Sequence, residues 1–187
     1  MSLAPPKVIV LDRDGVINQD SPDYIKTPDE WHALPGSLEA IARLYQAGYL
    51  LTIATNQSGV GRGLFTLDTL WQIHQKMLAQ IAAAGGYVEK IFWCPHSPED
   101  NCYCRKPKPG LLLQVAEVFA CGFKNMIVIG DSARDIEAAN AVGAHALLVR
   151  TGNGVKTEAE LADNLPPVFD DLGALTDALL AGEVQAS

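Results

Sequence analysis

Short apolar runs alternate along the chain with segments whose apolar positions recur every three or four residues. The runs predict buried strands, and the periodic segments predict helices that lie with one face on a sheet. Strands separated by helices favour right-handed crossovers and a mainly parallel sheet covered on both faces. The predicted strands are 8–11, 49–54, 88–93, 126–129, 146–149 and 168–169. The predicted helices are 36–47, a long helix capped by Thr66, 109–119, 134–142 and 172–180.

The remaining stretches set the domain organisation. Residues 19–35, 58–64, 95–109 and 151–156 show neither pattern and are predicted to be irregular. The long helix has an apolar stripe that we expect to be buried, made of Leu67, Leu70, Ile73, Met77 and Ile81. The intervals between elements leave little room for a separate cap domain. We therefore expect a single α/β domain in which loops gate access, with 58–64 and the cysteine-containing loop at about 94–104 as candidates.

Composition narrows the class of protein. The chain has 187 residues, 48% of them hydrophobic, and a net charge of −8 without a Lys/Arg-rich run. This acidic balance disfavours a nucleic-acid partner, because binding to the phosphate backbone needs a basic surface. No apolar run approaches a membrane span, and the amino end lacks the apolar stretch of a signal peptide. We expect a cytoplasmic protein without a membrane partner, and the compact form favours a monomer.

Two carboxylates, Asp12 and Asp14, directly follow the first predicted strand. Side chains two residues apart in a strand point the same way. Carboxylates held this close raise each other's pKa or require a cation between them. Ligands of open α/β sheets bind at the carboxyl ends of the strands. An Asp-Gly turn also explains the pair, so the other strand ends decide between these interpretations.

Two other strand ends carry polar residues of related chemistry. Residues 55–58, Thr-Asn-Gln-Ser, follow the second strand. Their hydroxyl and N–H groups can hold an anionic oxygen. Asp131 follows the fourth strand and would add a third carboxylate beside Asp12. Such a cluster of hard oxygen ligands suits Mg²⁺.

Further polar residues precede two predicted helices. Ser132 and Asp135 fit a capping box, which accounts for Asp135 without a ligand role. Arg105 and Lys106 stand just ahead of the 109–119 helix. Cations at that end oppose the helix dipole, so an anionic ligand is a reason for their presence.

These four stretches, in this order, resemble the motifs of the haloacid-dehalogenase-like superfamily of phosphotransferases. The first motif is matched by Asp12-x-Asp14-x-Val16, the second by Thr55, the third by Lys106, and the fourth by Gly130-Asp131 with Asp135. The resemblance implies a three-layer α/β/α fold with a Rossmann-like sheet.

The resemblance also implies a mechanism. Asp12 would be the nucleophile and form an aspartyl phosphate, and Asp14 would act as general acid and base. Thr55 and Lys106 would stabilise the transferring phosphoryl group. Mg²⁺ would be held by Asp12, the backbone carbonyl of Asp14, and Asp131.

A cluster of cysteines predicts a second metal. Cys94, His96, Cys102 and Cys104 provide three thiols and one imidazole within one loop. Such a set gives closed tetrahedral coordination of a structural Zn²⁺. Disulfides are the alternative, although they are rare in a reducing compartment. Cys121 lies apart at a helix end and is interpreted as an ordinary buried thiol.

The zinc loop, followed at once by Arg105 and Lys106, narrows the resemblance to the heptose-bisphosphate phosphatase family. The chain is also similar to the histidinol-phosphate phosphatases. The first resemblance implies a phosphatase acting on a small sugar phosphate in the synthesis of nucleotide-activated heptose, a lipopolysaccharide-core precursor. Five residues separate His96 from Cys102, fewer than in some members, and Ser132 stands where some carry lysine. Substrate contacts are predicted for Asp20, Asp23, Asn56, Gln57, Ser58, Arg105 and Ser132.

The sequence leaves open alternative roles for single residues and two alternative functions for the protein. Arg62 is a candidate for meeting a second phosphate, against its interpretation as a solvated loop residue. A polynucleotide 3′-phosphatase would share the catalytic motifs, although the acidic charge opposes it. A zinc-stabilised binding module would explain the cysteines alone. His32, His74 and His145 have no motif context and are interpreted as surface or packing residues.

Overall fold

The computed structural model describes residues 7–184. The amino-terminal segment up to Pro6, on which the signal-peptide argument partly rests, lies outside the described residues. The described part contains a six-stranded sheet in which every pairing is parallel. Its strands are β1 Val8–Leu11, β2 Leu50–Asn56, β3 Lys90–Cys94, β4 Met126–Gly130, β5 His145–Val149 and β6 Val168–Phe169.

The strand order, β3-β2-β1-β4-β5-β6, places β1 at the centre of the sheet. Leu11 at its carboxyl end is level with Ile53 of β2 and Ile129 of β4. From β1 the chain adds β2 and β3 on one side of the sheet and then returns to add β4, β5 and β6 on the other side, so a topological switch point lies between β1 and β4. A crevice forms outside the carboxyl ends of strands at such a switch point. The residues that follow β1, β2 and β4 therefore meet there.

Helices cover both faces of the sheet, and they are α1 Ser37–Gln46, α2 Ser58–Gly61, α3 Leu67–Ala83, α4 Gly110–Phe119, α5 Ala133–Val142, α6 Gly154–Leu161 and α7 Leu172–Leu180. Alternate residues of β1 supply the two hydrophobic cores. Ile9 and Leu11 pack with α1, α3 and α7. Val8 and Val10 pack with α4 and α5. The predicted three-layer α/β/α architecture is confirmed.

The structure corrects the predicted elements at several places. β3 covers Lys90–Cys94 and not 88–93, because its ladder with β2 runs from Lys90 to Cys94. β2 continues to Asn56, because Thr55 and Asn56 pair with β3. The helix α2 lies within the predicted irregular stretch 58–64, and α6 begins within the stretch 151–156 and continues to Leu161. Both are rich in residues that give no helical apolar pattern, and α6 buries only Gly154 and Thr157. Leu67 is half exposed, since the first turn of α3 lies beyond its packed face.

The search for membrane-spanning helices covered residues 7–184. None of the helices there is both long and apolar enough to cross a bilayer.

Candidate active site

Loops at the carboxyl edge of the sheet enclose a cavity of about 260 Å³. Asp23 does not line it and lies instead along an adjoining groove beside Lys26 and His32, so its predicted substrate contact lacks geometric support. The other predicted residues of the catalytic and substrate sites line the cavity: Asp12, Asp14, Asp20, Thr55, Asn56, Gln57, Ser58, Arg105, Lys106, Asp131 and Ser132.

A buried lysine connects two of the carboxylates. Lys106 is 3% exposed. Its Nζ lies 3.0 Å from Asp12 Oδ1 and 2.5 Å from Asp135 Oδ1, and it donates to the carbonyl oxygen of Ala54 at 2.7 Å. Burial lowers the pKa of Lys106, but the two carboxylates outweigh burial, so the pKa is raised overall. The side chain is therefore a fixed ammonium ion beside the predicted nucleophile.

Asp135 has two functions in this arrangement. Its Oδ2 accepts hydrogen bonds from the backbone N–H and the hydroxyl of Ser132, at 3.1 and 2.6 Å, which forms the predicted capping box. Its Oδ1 contacts Lys106. The cap thus accounts for only one oxygen of Asp135, and the other orients the lysine.

Asp131 is fixed by the turn that precedes α6. Its Oδ2 accepts hydrogen bonds from the backbone N–H and side-chain amide of Asn153, at 2.7 and 3.1 Å. Gly15 and Gly152 both have positive φ, and a Cβ on either would collide with this carboxylate. Only glycine combines that backbone conformation with so close an approach. Sequence reasoning missed Gly152 and Asn153, although Gly-Asn-Gly after a strand is a turn signal.

The charge balance of the site fits a divalent cation. Oxygens of Asp12, Asp131 and Asp135 lie within 4.8 Å of one another, whereas Lys106 offers a single positive charge. Burial raises the pKa of Asp12 to about 8 against the opposing effect of Lys106. Burial and the Asp135 charge raise that of Asp131 to about 6. A hard cation bound by these oxygens would offset the excess negative charge.

The Asp14 carboxylate does not belong to this cluster. It pairs with the buried guanidinium of Arg13 at 2.9 Å and accepts from the amides of Asn18 and Gln57 at 2.9 and 3.0 Å. Burial raises the pKa of Asp14, but these partners outweigh it and hold the pKa below its usual range. In this arrangement Asp14 is ionised, a state suited to a base.

A buried histidine stands behind this pair. His74 is 1% exposed, and its Nε2 lies 3.5 Å from Nη1 of Arg13. Burial and the adjacent guanidinium lower the pKa of His74 to about 3, so the ring is neutral. His74 is a packing residue, as predicted, but the residue it packs against belongs to the first motif. No local pattern links the two, because they are 61 positions apart.

Hydrogen bonds fix the side chains at the carboxyl end of β2 and just after it. The Thr55 hydroxyl accepts a hydrogen bond from Gln57 at 2.9 Å. Asn56 exchanges two hydrogen bonds of 3.1 Å with the backbone of Lys106. Asn56 therefore positions the lysine in addition to lining the cavity. Ser58 is buried at the cavity wall.

The predicted zinc ligands converge. The three Sγ atoms of Cys94, Cys102 and Cys104 are 3.2–3.6 Å apart, and His96 Nδ1 lies 3.5 and 3.3 Å from the first and last. A tetrahedral Zn²⁺ site places sulfur ligands about 3.8 Å apart. All four cysteines are free, and Cys121 is buried elsewhere, so the disulfide alternative has no support.

The sheet topology and this carboxylate–lysine cluster define a haloacid-dehalogenase-like phosphoric monoester hydrolase. The HAD-hydrolase-like family model matches residues 103–175. The chain belongs to the D-glycero-β-D-manno-heptose-1,7-bisphosphate 7-phosphatase family. The relative from Bordetella bronchiseptica is 51% identical over 93% of this chain and 98% of its own length. The relative from Pseudomonas aeruginosa is 49% identical, with 92% and 97% covered.

A solved structure extends this similarity to three dimensions. The D,D-heptose 1,7-bisphosphate phosphatase of B. bronchiseptica, complexed with magnesium and phosphate, superimposes with a TM-score of 0.91. It is 50% identical, and the match covers 94% of this chain and 99% of that one. The fold described above is therefore that of a known phosphatase over nearly its whole length.

Proposed function

We propose that this protein hydrolyses the 7-phosphate of D-glycero-D-manno-heptose 1,7-bisphosphate through an aspartyl phosphate. The observation that carries the proposal is the buried carboxylate of Asp12, held 3.0 Å from the fixed ammonium of Lys106 at a cavity. The similarity to heptose-bisphosphate phosphatases over almost the full chain supports the choice of sugar.

Asp12 is the nucleophile of the proposed reaction. Its Oδ1 accepts from the backbone N–H of Arg13 at 2.7 Å and contacts Lys106, so Oδ2 is the oxygen left to attack. A bond forms from this oxygen to phosphorus, and the bond from phosphorus to the sugar oxygen breaks. Thr55 and Lys106 hold the phosphoryl oxygens as their charge redistributes. Splitting one displacement into two lowers the barrier of each.

Asp14 moves the protons in both steps. The departing sugar oxygen takes a proton from Asp14, which must therefore be protonated in the Michaelis complex. Its present contacts with Arg13, Asn18 and Gln57 favour the ionised form. The acid step thus requires substrate to displace some of them. The base step, in which Asp14 accepts a proton from the attacking water, uses the ionised form directly.

Magnesium is the proposed cofactor of the cavity. Asp12, Asp131 and the backbone carbonyl of Asp14 would hold it. When bound, Mg²⁺ shields the charge of the phosphate ester from the anionic nucleophile. The oxygen donor set supports this ion, as does the magnesium in the B. bronchiseptica phosphatase. The Asn153 hydrogen bonds occupy Oδ2 of Asp131, which leaves Oδ1 for the ion.

Zinc is the proposed structural metal, and its loss is expected to disable the enzyme. The loop fixes Arg105, whose backbone N–H donates to Cys102 Sγ at 3.4 Å. We predict that Cys104→Ser releases zinc, lowers the melting temperature and reduces kcat/KM by about 10-fold or more. Metal analysis, thermal melting and phosphate release check this. Cys121→Ser is the matched control and should keep its zinc. Unchanged zinc content in the Cys104 variant would contradict the assignment.

One panel of substrates distinguishes the proposed heptose-bisphosphate phosphatase from two alternatives, a histidinol-phosphate phosphatase and a polynucleotide 3′-phosphatase. Phosphate release in the presence of Mg²⁺ is measured with the heptose bisphosphate, histidinol phosphate and a 3′-phosphorylated oligonucleotide. We expect the heptose bisphosphate to be preferred over the others by at least about 100-fold in kcat/KM. Equal or better turnover of histidinol phosphate would replace the heptose assignment.

We also propose that the enzyme acts as a cytoplasmic monomer on this small substrate, without a nucleic-acid or membrane partner.

A further inference from the structure

Two arginines differ from the other four in the chain. Arg13, Arg43, Arg62 and Arg150 each pair with a carboxylate. Within residues 7–184, Arg105 and Arg134 have no carboxylate within 4.0 Å. Both line the catalytic cavity. Arg134 is exposed and Arg105 is half-buried, so both guanidinium groups are open to an anionic ligand in this cavity.

The two side chains lie where the cavity continues into a second groove. That groove has a volume of about 230 Å³ and runs along the zinc loop beside Pro98 and Pro107. Arg105, Lys106 and Arg134 line both spaces. A ligand with one phosphate at Lys106 therefore has room to extend past both arginines.

The arginines are held close together from two separate elements. Arg105 is half-buried, and its Nη1 donates to the carbonyl of His96 at 3.1 Å, so the zinc loop fixes its guanidinium. Arg134 projects from the first turn of α5. Burial and the charge of Arg134 lower the pKa of Arg105, which reflects their proximity. A cation in the first turn also opposes the helix dipole, so helix stability does not explain Arg134.

We infer that Arg134, together with Arg105, binds the phosphate of the substrate that is not transferred. This inference rests on the proposed function. It adds a residue that lets the enzyme bind a bisphosphate more tightly than a monophosphate. Guanidinium groups hold phosphate through paired, charge-assisted hydrogen bonds. Arg134 thus supplies a cation two residues beyond Ser132, which itself lines the cavity.

Arg62, the earlier candidate for a second phosphate, is a weaker choice. Its Nη2 is paired with Glu99 at 3.1 Å, and it does not line the cavity. Its guanidinium is already neutralised in an exposed position. Arg62 therefore serves as a matched control for the loss of one arginine charge near the zinc loop.

The test compares the heptose 1,7-bisphosphate with the 7-phosphate that lacks the 1-phosphate. For the wild-type enzyme we expect KM to be about 100-fold lower for the bisphosphate. Arg134→Gln should raise KM for the bisphosphate by about 10-fold to 100-fold, with kcat changed much less. The preference over the monophosphate should shrink accordingly. Arg134→Lys should recover part of the loss, and Arg62→Gln should retain the wild-type preference.

The outcomes separate this inference from the function on which it rests. If wild-type enzyme releases phosphate from neither sugar, the proposed function fails. If it hydrolyses both with equal KM, the function stands and the arginine site is refuted. A drop in kcat/KM of Arg134→Gln that is the same for both sugars, or an equal effect of Arg62→Gln, would also overturn the inference.

Discussion

Asp12→Asn is expected to abolish turnover, by at least about 10⁴-fold in kcat. The amide nitrogen and oxygen of asparagine cannot replace the carboxylate as nucleophile, so no aspartyl phosphate forms. The shape of the side chain is kept, and Lys106 retains Asp135 and the carbonyl of Ala54 as partners. Phosphate release from the heptose bisphosphate measures the loss. Wild-type activity in a preparation shown by mass spectrometry to be pure would contradict the nucleophile assignment.

The stability of the same variant gives a second, independent result. Burial raises the pKa of Asp12 to about 8, so at pH 7 without Mg²⁺ the folded state disfavours the charged form. A raised carboxylate pKa makes ionisation oppose folding above the ordinary value of 3.8. Neutral asparagine removes that penalty. We therefore expect an equal or higher melting temperature in metal-free buffer. Asp68→Asn, on the exposed face of α3, is the control for removal of one carboxylate.

The sequence predicts the sheet and the meeting of the motif residues for one physical reason. The carboxyl ends of parallel strands share an edge, so residues that follow β1, β2 and β4 must converge. The sequence therefore predicts that Asp12, Thr55 and Asp131 share one site, and all three line the same cavity. Sheet topology alone does not predict the position of Lys106, because this residue lies in a loop whose backbone is hydrogen-bonded to Asn56.

The partners of these residues are what the sequence could not supply. Asn153 reaches Asp131 from the turn before α6, a helix without an apolar pattern, and His74 lies behind Arg13 in the core. Each contact depends on packing between segments far apart in the chain. Periodicity reports the buried face of an element and carries no information about its partner. The ionised state of Asp14 follows from its ion pair with the neighbouring Arg13 and from the amides of Asn18 and Gln57, so a motif alone could assign its role but not its resting charge.

Lys106→Met is expected to lower kcat/KM by at least about 10³-fold and to destabilise the fold. Removing one partner of a buried ion pair leaves the others uncompensated, which costs about 3–5 kcal/mol. Here Asp12 and Asp135 would both lose their ammonium partner. Denaturant unfolding and phosphate release measure the two effects. Lys124→Met, an exposed lysine that lines neither the cavity nor the adjoining groove, controls for the loss of one lysine charge.

The pH dependence of that destabilisation distinguishes charge from packing. The raised pKa of Lys106 means that its stabilising charge is fully present below the ordinary value of 10.5. Without it, Asp12 would ionise only at a still higher pH, so the stability gap should widen as the pH rises through about 8, the pKa of Asp12 beside Lys106. Adding Asp135→Asn to Lys106→Met should then restore part of the unfolding free energy at pH 8 without restoring activity. A gap that is constant with pH would assign the lysine to packing, because lost contacts do not titrate.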